Sequence, residues 1–195
     1  MSLQIQSINK SYADQQVLFD LSFNVKNGEI VGFLGPNGAG KSSLMKIMTG
    51  YLYPDSGKVW IDDVCVQEKR IEAQKLIGYL PEHNPLYLDL YVKEYLNFTA
   101  KIYNLGAERA QRVDEMIEKC GLTSEYKKKI GQLSKGYRQR VGLAAAMIHN
   151  PQVLILDEPT NHMDIVSREA LEKMLIEYKG TILFVSHDRY FVNKI

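Results

Sequence analysis

The chain has 195 residues, of which 45% are hydrophobic and 24% charged, and a formal net charge of +1. That balance suits a globular protein with a sizeable core and gives no electrostatic reason to bind nucleic acid or an anionic membrane surface. No apolar run approaches the roughly 20 residues of a membrane-spanning helix, and the N-terminus has no signal-peptide pattern.

Cys65 and Cys120 lie far apart without a metal-type spacing and read as reduced, packed thiols. Leu3, Ile5 and Ser7 alternate with polar neighbours, and Val17-Leu18-Phe19 and Leu21–Val25 predict two further strands. Residues 3–31 thus read as a small antiparallel sheet, with Asn27-Gly28 as a turn. Tyr12 falls in the loop between the first two strands, where it is either a stacking partner for a nucleobase or an ordinary exposed tyrosine.

Glu29–Leu34 is an apolar run that predicts a buried strand. It leads into Gly35-Pro36-Asn37-Gly38-Ala39-Gly40-Lys41-Ser42, which matches the phosphate-loop pattern G-x-x-x-x-G-K-[ST] at every fixed position. Ser43–Thr49 then predicts a helix, with Gly50 as its C-terminal stop. Strand, glycine loop and helix N-terminus together form an anion site. Glycines let backbone N–H groups turn inward, and the helix dipole places partial positive charge where phosphate sits. Lys41 can reach the β- and γ-phosphates of a nucleotide, and Ser42 can ligate Mg²⁺.

Beyond the loop, Tyr53–Gly57 is a turn, Lys58–Ile61 a strand, Ile71–Leu76 a short amphipathic piece and Ile77–Leu80 a strand; Pro81–Pro85 breaks regular structure. Tyr91, Tyr95, Phe98, Ile102 and Leu105 recur at helical spacing, and Ala110, Val113, Ile117 and Cys120 mark a second helix stopped by Gly121. Leu133-Ser134-Lys135-Gly136-Tyr137 opens an alanine-rich helix that runs to Asn150-Pro151. Val153–Glu158 is a strand ending in two carboxylates, Ile165–Tyr178 a helix closed by Gly180, and Thr181–Val185 a strand delivering Ser186-His187-Asp188. Helices alternating with apolar strands predict a mostly parallel α/β core sheet, with ligands bound at the carboxyl ends of its strands. There Asp157 is placed to hold Mg²⁺ beside Ser42, Glu158 to act as general base towards water, and His187 to hydrogen-bond the γ-phosphate.

These residues resemble the ATP-binding cassette (ABC) family over essentially the whole chain. Leu133–Tyr137 is similar to its signature motif, residues 35–42 to Walker A and 153–157 to Walker B. The resemblance implies a P-loop NTPase fold with an N-terminal antiparallel β subdomain and an inserted α-helical subdomain, as one nucleotide-binding domain over 1–195 (core 1–84 and 150–195, helical subdomain about 85–149). It implies an ATPase with ATP and Mg²⁺ as cofactors. Lys41, Glu158 and His187 are then catalytic. Tyr12, Gly35, Pro36, Asn37, Gly38, Ala39, Gly40, Lys41, Ser42, Ser43, Ser134, Gly136 and Asp164 hold the nucleotide. Ser42, Asp157 and Glu82 hold the metal, Glu82 standing where the family has a glutamine. Lys135 and Tyr137 stand where glycine and glutamine are usual.

Two cassettes of this family pack head to tail, so the resemblance also implies a second cassette as partner, and separate membrane-spanning chains. The location implied is cytoplasmic, peripheral to the inner face of the membrane when assembled. Up to about Thr160, and especially over residues 77–87, the chain is similar to export-type subunits associated with gliding motility. From Asp157 to the end it resembles the ABC-F class, which acts on ribosomes. Taken together, the two implicate either a transporter ATPase subunit, or a ribosome-associated factor or impaired binding module in a hybrid or truncated sequence.

Overall fold

A long antiparallel hairpin of β1 (Leu3–Tyr12) and β2 (Gln15–Val25) opens the chain. The structure, a computed structural model, describes residues 2–36, 38–161 and 163–195, with Val166 and Arg189 described by their backbone alone. On its other edge β1 pairs with β4 (Ser56–Ile61), which pairs in turn with β5 (Val64–Cys65). The sheet order is therefore β2-β1-β4-β5. The two short strands expected over residues 17–25 are one strand. Asp20, at φ 42°, and register shifts along the hairpin break the apolar alternation without ending the pairing.

β3 (Ile30–Phe33) leaves this sheet for a second, all-parallel one that contains β6 (Ile77–Leu80), β7 (Val153–Asp157) and β8 (Thr181–Val185) in the order β3-β8-β7-β6. The expectation that β3 is buried is overturned. It pairs only with β8 among the described residues, and Ile30 is 37% exposed. β7 and β8 are buried at every position. Successive side chains of a strand point to opposite faces, and here each face meets a different apolar cluster. Leu154, Leu156, Ile182 and Phe184 face the helical side. Val153, Ile155, Leu183 and Val185 face the first sheet and the helix after the glycine loop, α1 (Lys41–Met48).

The helical side is built from α3 (Val92–Ile102), α4 (Arg109–Lys119) and α5 (Lys135–Met147), joined by α6 (Ile165–Glu177); α2 (Arg70–Lys75) lies between β5 and β6. The apolar stripe expected to reach Leu105 outlasts its helix, because Asn104 turns to φ 57° and a 3-10 turn follows at Gly106–Glu108. α6 is not closed by a left-handed glycine. It ends as Tyr178 becomes extended, and Gly180 serves a close approach instead: a Cβ there would lie 2.8 Å from the Gln152 carbonyl oxygen. One helix was not anticipated. α7 (Arg189–Lys194) starts where the Asp188 side chain accepts from the Tyr190 and Phe191 amides, an N-cap.

Candidate functional site

Register in the parallel sheet puts the loaded ends of four strands side by side. Phe33 and Asp157 both pair with Val185, and Leu80 pairs with Leu156. One or two residues beyond that row come Gly35, His187, Glu158 and Glu82. Each strand delivers its group because the apolar core fixes the height at which the strand stops.

The glycine loop is shaped for an anion. Gly38 and Gly40 hold φ 84° and 82°. At Gly40 a Cβ would stand 2.6 Å from the Val17 carbonyl oxygen, so no other residue fits beneath β2. No side chain caps the N-terminus of α1, which leaves its first N–H groups for a ligand. Lys41 Nζ arches back over the loop, donating to the Gly35 and Pro36 carbonyl oxygens at 2.7 and 2.8 Å. Asn37 lies outside the described residues. Ser43 meets the Tyr12 hydroxyl at 3.1 Å, so the half-exposed Tyr12 stands beside the first turn of α1.

Asp157 is 5% exposed and shares the wall of one cleft with Ser42. Burial pushes its carboxyl up, and the negative charge of Glu82 adds to this against Ser42 and the lysines. The Glu158 carboxyl is raised too, first by burial, with Asp157 and Glu82 adding to it. Three carboxylates thus gather here, with His187 beside Glu158 and Lys41 and Lys46 near Asp157, a negative cluster that a divalent cation would further balance. Among the described residues no three acidic, His or Cys side chains converge to cage a metal by themselves. A Mg²⁺ completed by nucleotide phosphates needs only one or two carboxylates, and Ser42 and Asp157 fit that requirement. Glu82 is exposed at the rim, with Oε1 3.4 Å from Asn161 Nδ2. The cleft here, about 730 Å³, is lined by Ser42, Lys46, Glu82 and Asp157 and runs on towards Tyr95 and Tyr103 of α3 and its end.

Glu158 sits in left-handed backbone at φ 49°, held by its amide donating to the Val185 carbonyl at 2.9 Å. Its Oε2 accepts from the His187 amide at 3.2 Å, and its Oε1 lies 3.2 Å from His187 Nε2. Sequence reasoning brought this pair to adjacent strand ends but gave no sign of the strained backbone.

Other expected residues stand apart. Ser134 is the exposed N-cap of α5, accepting from the Tyr137 amide, and Gly136 is buried in that first turn. The carboxylate of Asp164 caps α6 by accepting from the Ser167 amide at 2.7 Å. Among the described residues no hydrogen bond or ion pair joins Ser134, Gly136 or Asp164 to the glycine loop or to Asp157–Glu158.

Residues 18–161, which span the glycine loop, Ser134 and Asp157, match the family model described as ABC transporter. This chain belongs to the ABC transporter family. The cassette is 36% identical over 189 residues to the linearmycin resistance ATP-binding protein LnrL of Bacillus subtilis (strain 168). It is also 36% identical over 189 residues to the bacitracin transport ATP-binding protein BcrA of Bacillus licheniformis. Each match covers 95% of this chain, and the chain spans 61% of the length of each relative. An ATP-binding subunit of an ABC transporter superposes with a TM-score of 0.88 at 30% identity, covering 96% of this chain and 80% of that one. The ATP-binding cassette MJ0796, in a dimeric post-hydrolysis state bound to ADP and Pi, superposes at 0.87 with 26% identity, covering 98% and 90%. Because the transporter relatives match over 95% of the cassette, residues 157–195 fall largely inside a transporter-type alignment, and the hybrid ABC-F reading gains no support. No helix among the described residues is long and apolar enough to cross a membrane.

Proposed function

We propose that the cassette binds and hydrolyses ATP as the nucleotide-binding subunit of an export transporter, over a core of residues 1–84 and 150–195 and a helical part of about 85–149. The observation that carries this reading is the single row formed by the glycine loop, Asp157-Glu158 and His187 at the ends of neighbouring strands. The β- and γ-phosphates lie on the N–H groups of residues 38–43, with Lys41 turning from the loop carbonyls to the phosphate oxygens. Tyr12 stacks on the base. When bound, Mg²⁺ would neutralise charge developing on the transferred phosphoryl group; Ser42 and Asp157, with Glu82, would hold it. Glu158 accepts a proton from the attacking water, and burial raises its carboxyl in the direction that makes it a stronger base. His187 fixes the direction of that carboxylate and reaches towards the γ-phosphate.

Ser134 and Gly136, being remote from this row, serve a phosphate bound by a second cassette, as the dimeric relative suggests. The other partners are membrane-spanning chains, at whose cytoplasmic side the cassette works. Titration calorimetry tests the site. Lys41→Ala should abolish detectable Mg²⁺-ATP binding, and undiminished affinity would remove the glycine loop from the mechanism.

A further inference from the structure

Arg140 is 7% exposed, in the middle of a core helix. Its Nη2 donates to Ser167 Oγ at 3.0 Å, its Nη1 to the Gly121 carbonyl at 3.3 Å, and its guanidinium lies over the Tyr137 ring at 5.0 Å. One side chain thus joins the end of α4, the body of α5 and the first turn of α6. An apolar residue would fill this space without the desolvation cost of a buried cation, but it would fix no direction. Ser167 itself is 2% exposed, and its amide is held by Asp164 at 2.7 Å. The next residue, Arg168, pairs with Asp188 at 3.0 Å, directly after His187.

We propose that Arg140, through Ser167, is a positioning residue that mounts the signature end of α5 on the same turn of α6 that anchors the His187 segment. Arg140 lies six residues from Ser134, about 9 Å along the helix axis. A tilt allowed at Arg140 is therefore carried to Ser134 and Gly136. Since those two residues serve the partner's phosphate while His187 serves the chain's own, the shared mount makes each site sensitive to the occupancy of the other. This rests on the proposed two-cassette ATPase, and Arg140 touches neither nucleotide.

The test uses Ser167→Ala, which deletes the hydroxyl acceptor but keeps the amide that Asp164 caps, and Arg140→Lys, which keeps charge but loses the fork. In a Glu158→Gln background at saturating Mg²⁺-ATP, sedimentation should show each variant weakening the dimer about threefold to thirtyfold. ATP affinity measured on the monomer should be unchanged. Hydrogen exchange at residues 135–138 of the ATP-free monomer should be faster in both variants. That last measurement keeps the inference separable from the proposed function: a Glu158→Gln parent that never dimerises sinks the two-cassette reading, whereas unaltered exchange sinks the mount. Unaltered dimerisation against a dimerising parent overturns it as well, and so does an equal loss of monomer ATP affinity.

Discussion

Glu158 and His187 hold one another at two points, the His187 amide on Glu158 Oε2 and its Nε2 3.2 Å from Oε1. The amide bond holds Oε2, while Oε1 has the His187 ring as its neighbour but makes no hydrogen bond among the described residues. The Glu158 backbone is also fixed, by its amide bond to Val185, so the proposed base is placed without nucleotide.

Glu158→Gln keeps the shape and the bond from the His187 amide while removing the base. Hydrolysis should fall by roughly 10²–10⁴. Binding of Mg²⁺-ATP, which draws on Lys41 and Ser42, should persist, and an ATP-bound dimer should accumulate. A phosphate-release assay and size exclusion with and without ATP read the two halves. A variant that hydrolyses within threefold of the parent would exclude Glu158 as the base.

Tyr12 is 46% exposed and meets Ser43 through its hydroxyl, with Lys10 Nζ 5.8 Å from the ring centroid. Among the described residues its hydroxyl hydrogen-bonds Ser43 and no amide or acid side chain. Tyr12→Ala should weaken ATP binding by about tenfold, in line with 1–3 kcal/mol for a base stacked on an aromatic ring, and GTP should compete with ATP in the parent. Competition binding with a fluorescent ATP analogue measures both effects; an unaltered affinity returns Tyr12 to a loop tyrosine.

Two buried groups push stability in opposite directions with pH. The Asp157 carboxyl is raised by burial, so its contribution is fully present below the unfolded value, about 3.9, and lost as pH rises through the folded value. Asp157→Asn should therefore raise the melting temperature of the nucleotide-free protein at pH 7.5, by about 2–4 °C, and the gain should vanish below pH 4. His149, stacked on Tyr103 with ring centroids 3.7 Å apart and Nε2 3.0 Å from the Ile77 carbonyl oxygen, is pushed down by burial to about 4. Its contribution is complete above roughly pH 6.5 and is lost as pH falls through about 4. His149→Gln should flatten the acid side of a melting-temperature profile. A parent profile that is level between pH 4 and 6.5 would contradict this.

Much of this molecule was legible in the sequence because its signals are local. The glycine loop carries its own pattern, and the strands of the parallel sheet are apolar throughout, with chemistry only at their ends. What was missed depended on distant partners. β3 reads as buried from its composition, yet its exposure is set by which strands lie beside it. Arg140 passed without a reading, since nothing near it in the chain announces Ser167 or Gly121. The left-handed backbone of Glu158 has no marker at all, because a glutamate is not a residue that usually accepts it.

The two-faced packing of β7 has a consequence for where Mg²⁺ can be held. Sliding that strand by a single residue would exchange the side chains offered to the two apolar clusters and carry Asp157 to the level of Leu156, deep in hydrocarbon. No loop hydrogen bond is needed to forbid this, since the mismatch of shapes on both faces forbids it together. The elevation of the Asp157 carboxylate is thus dictated from below, by Val153, Leu154, Ile155 and Leu156, and does not depend on the loops around it.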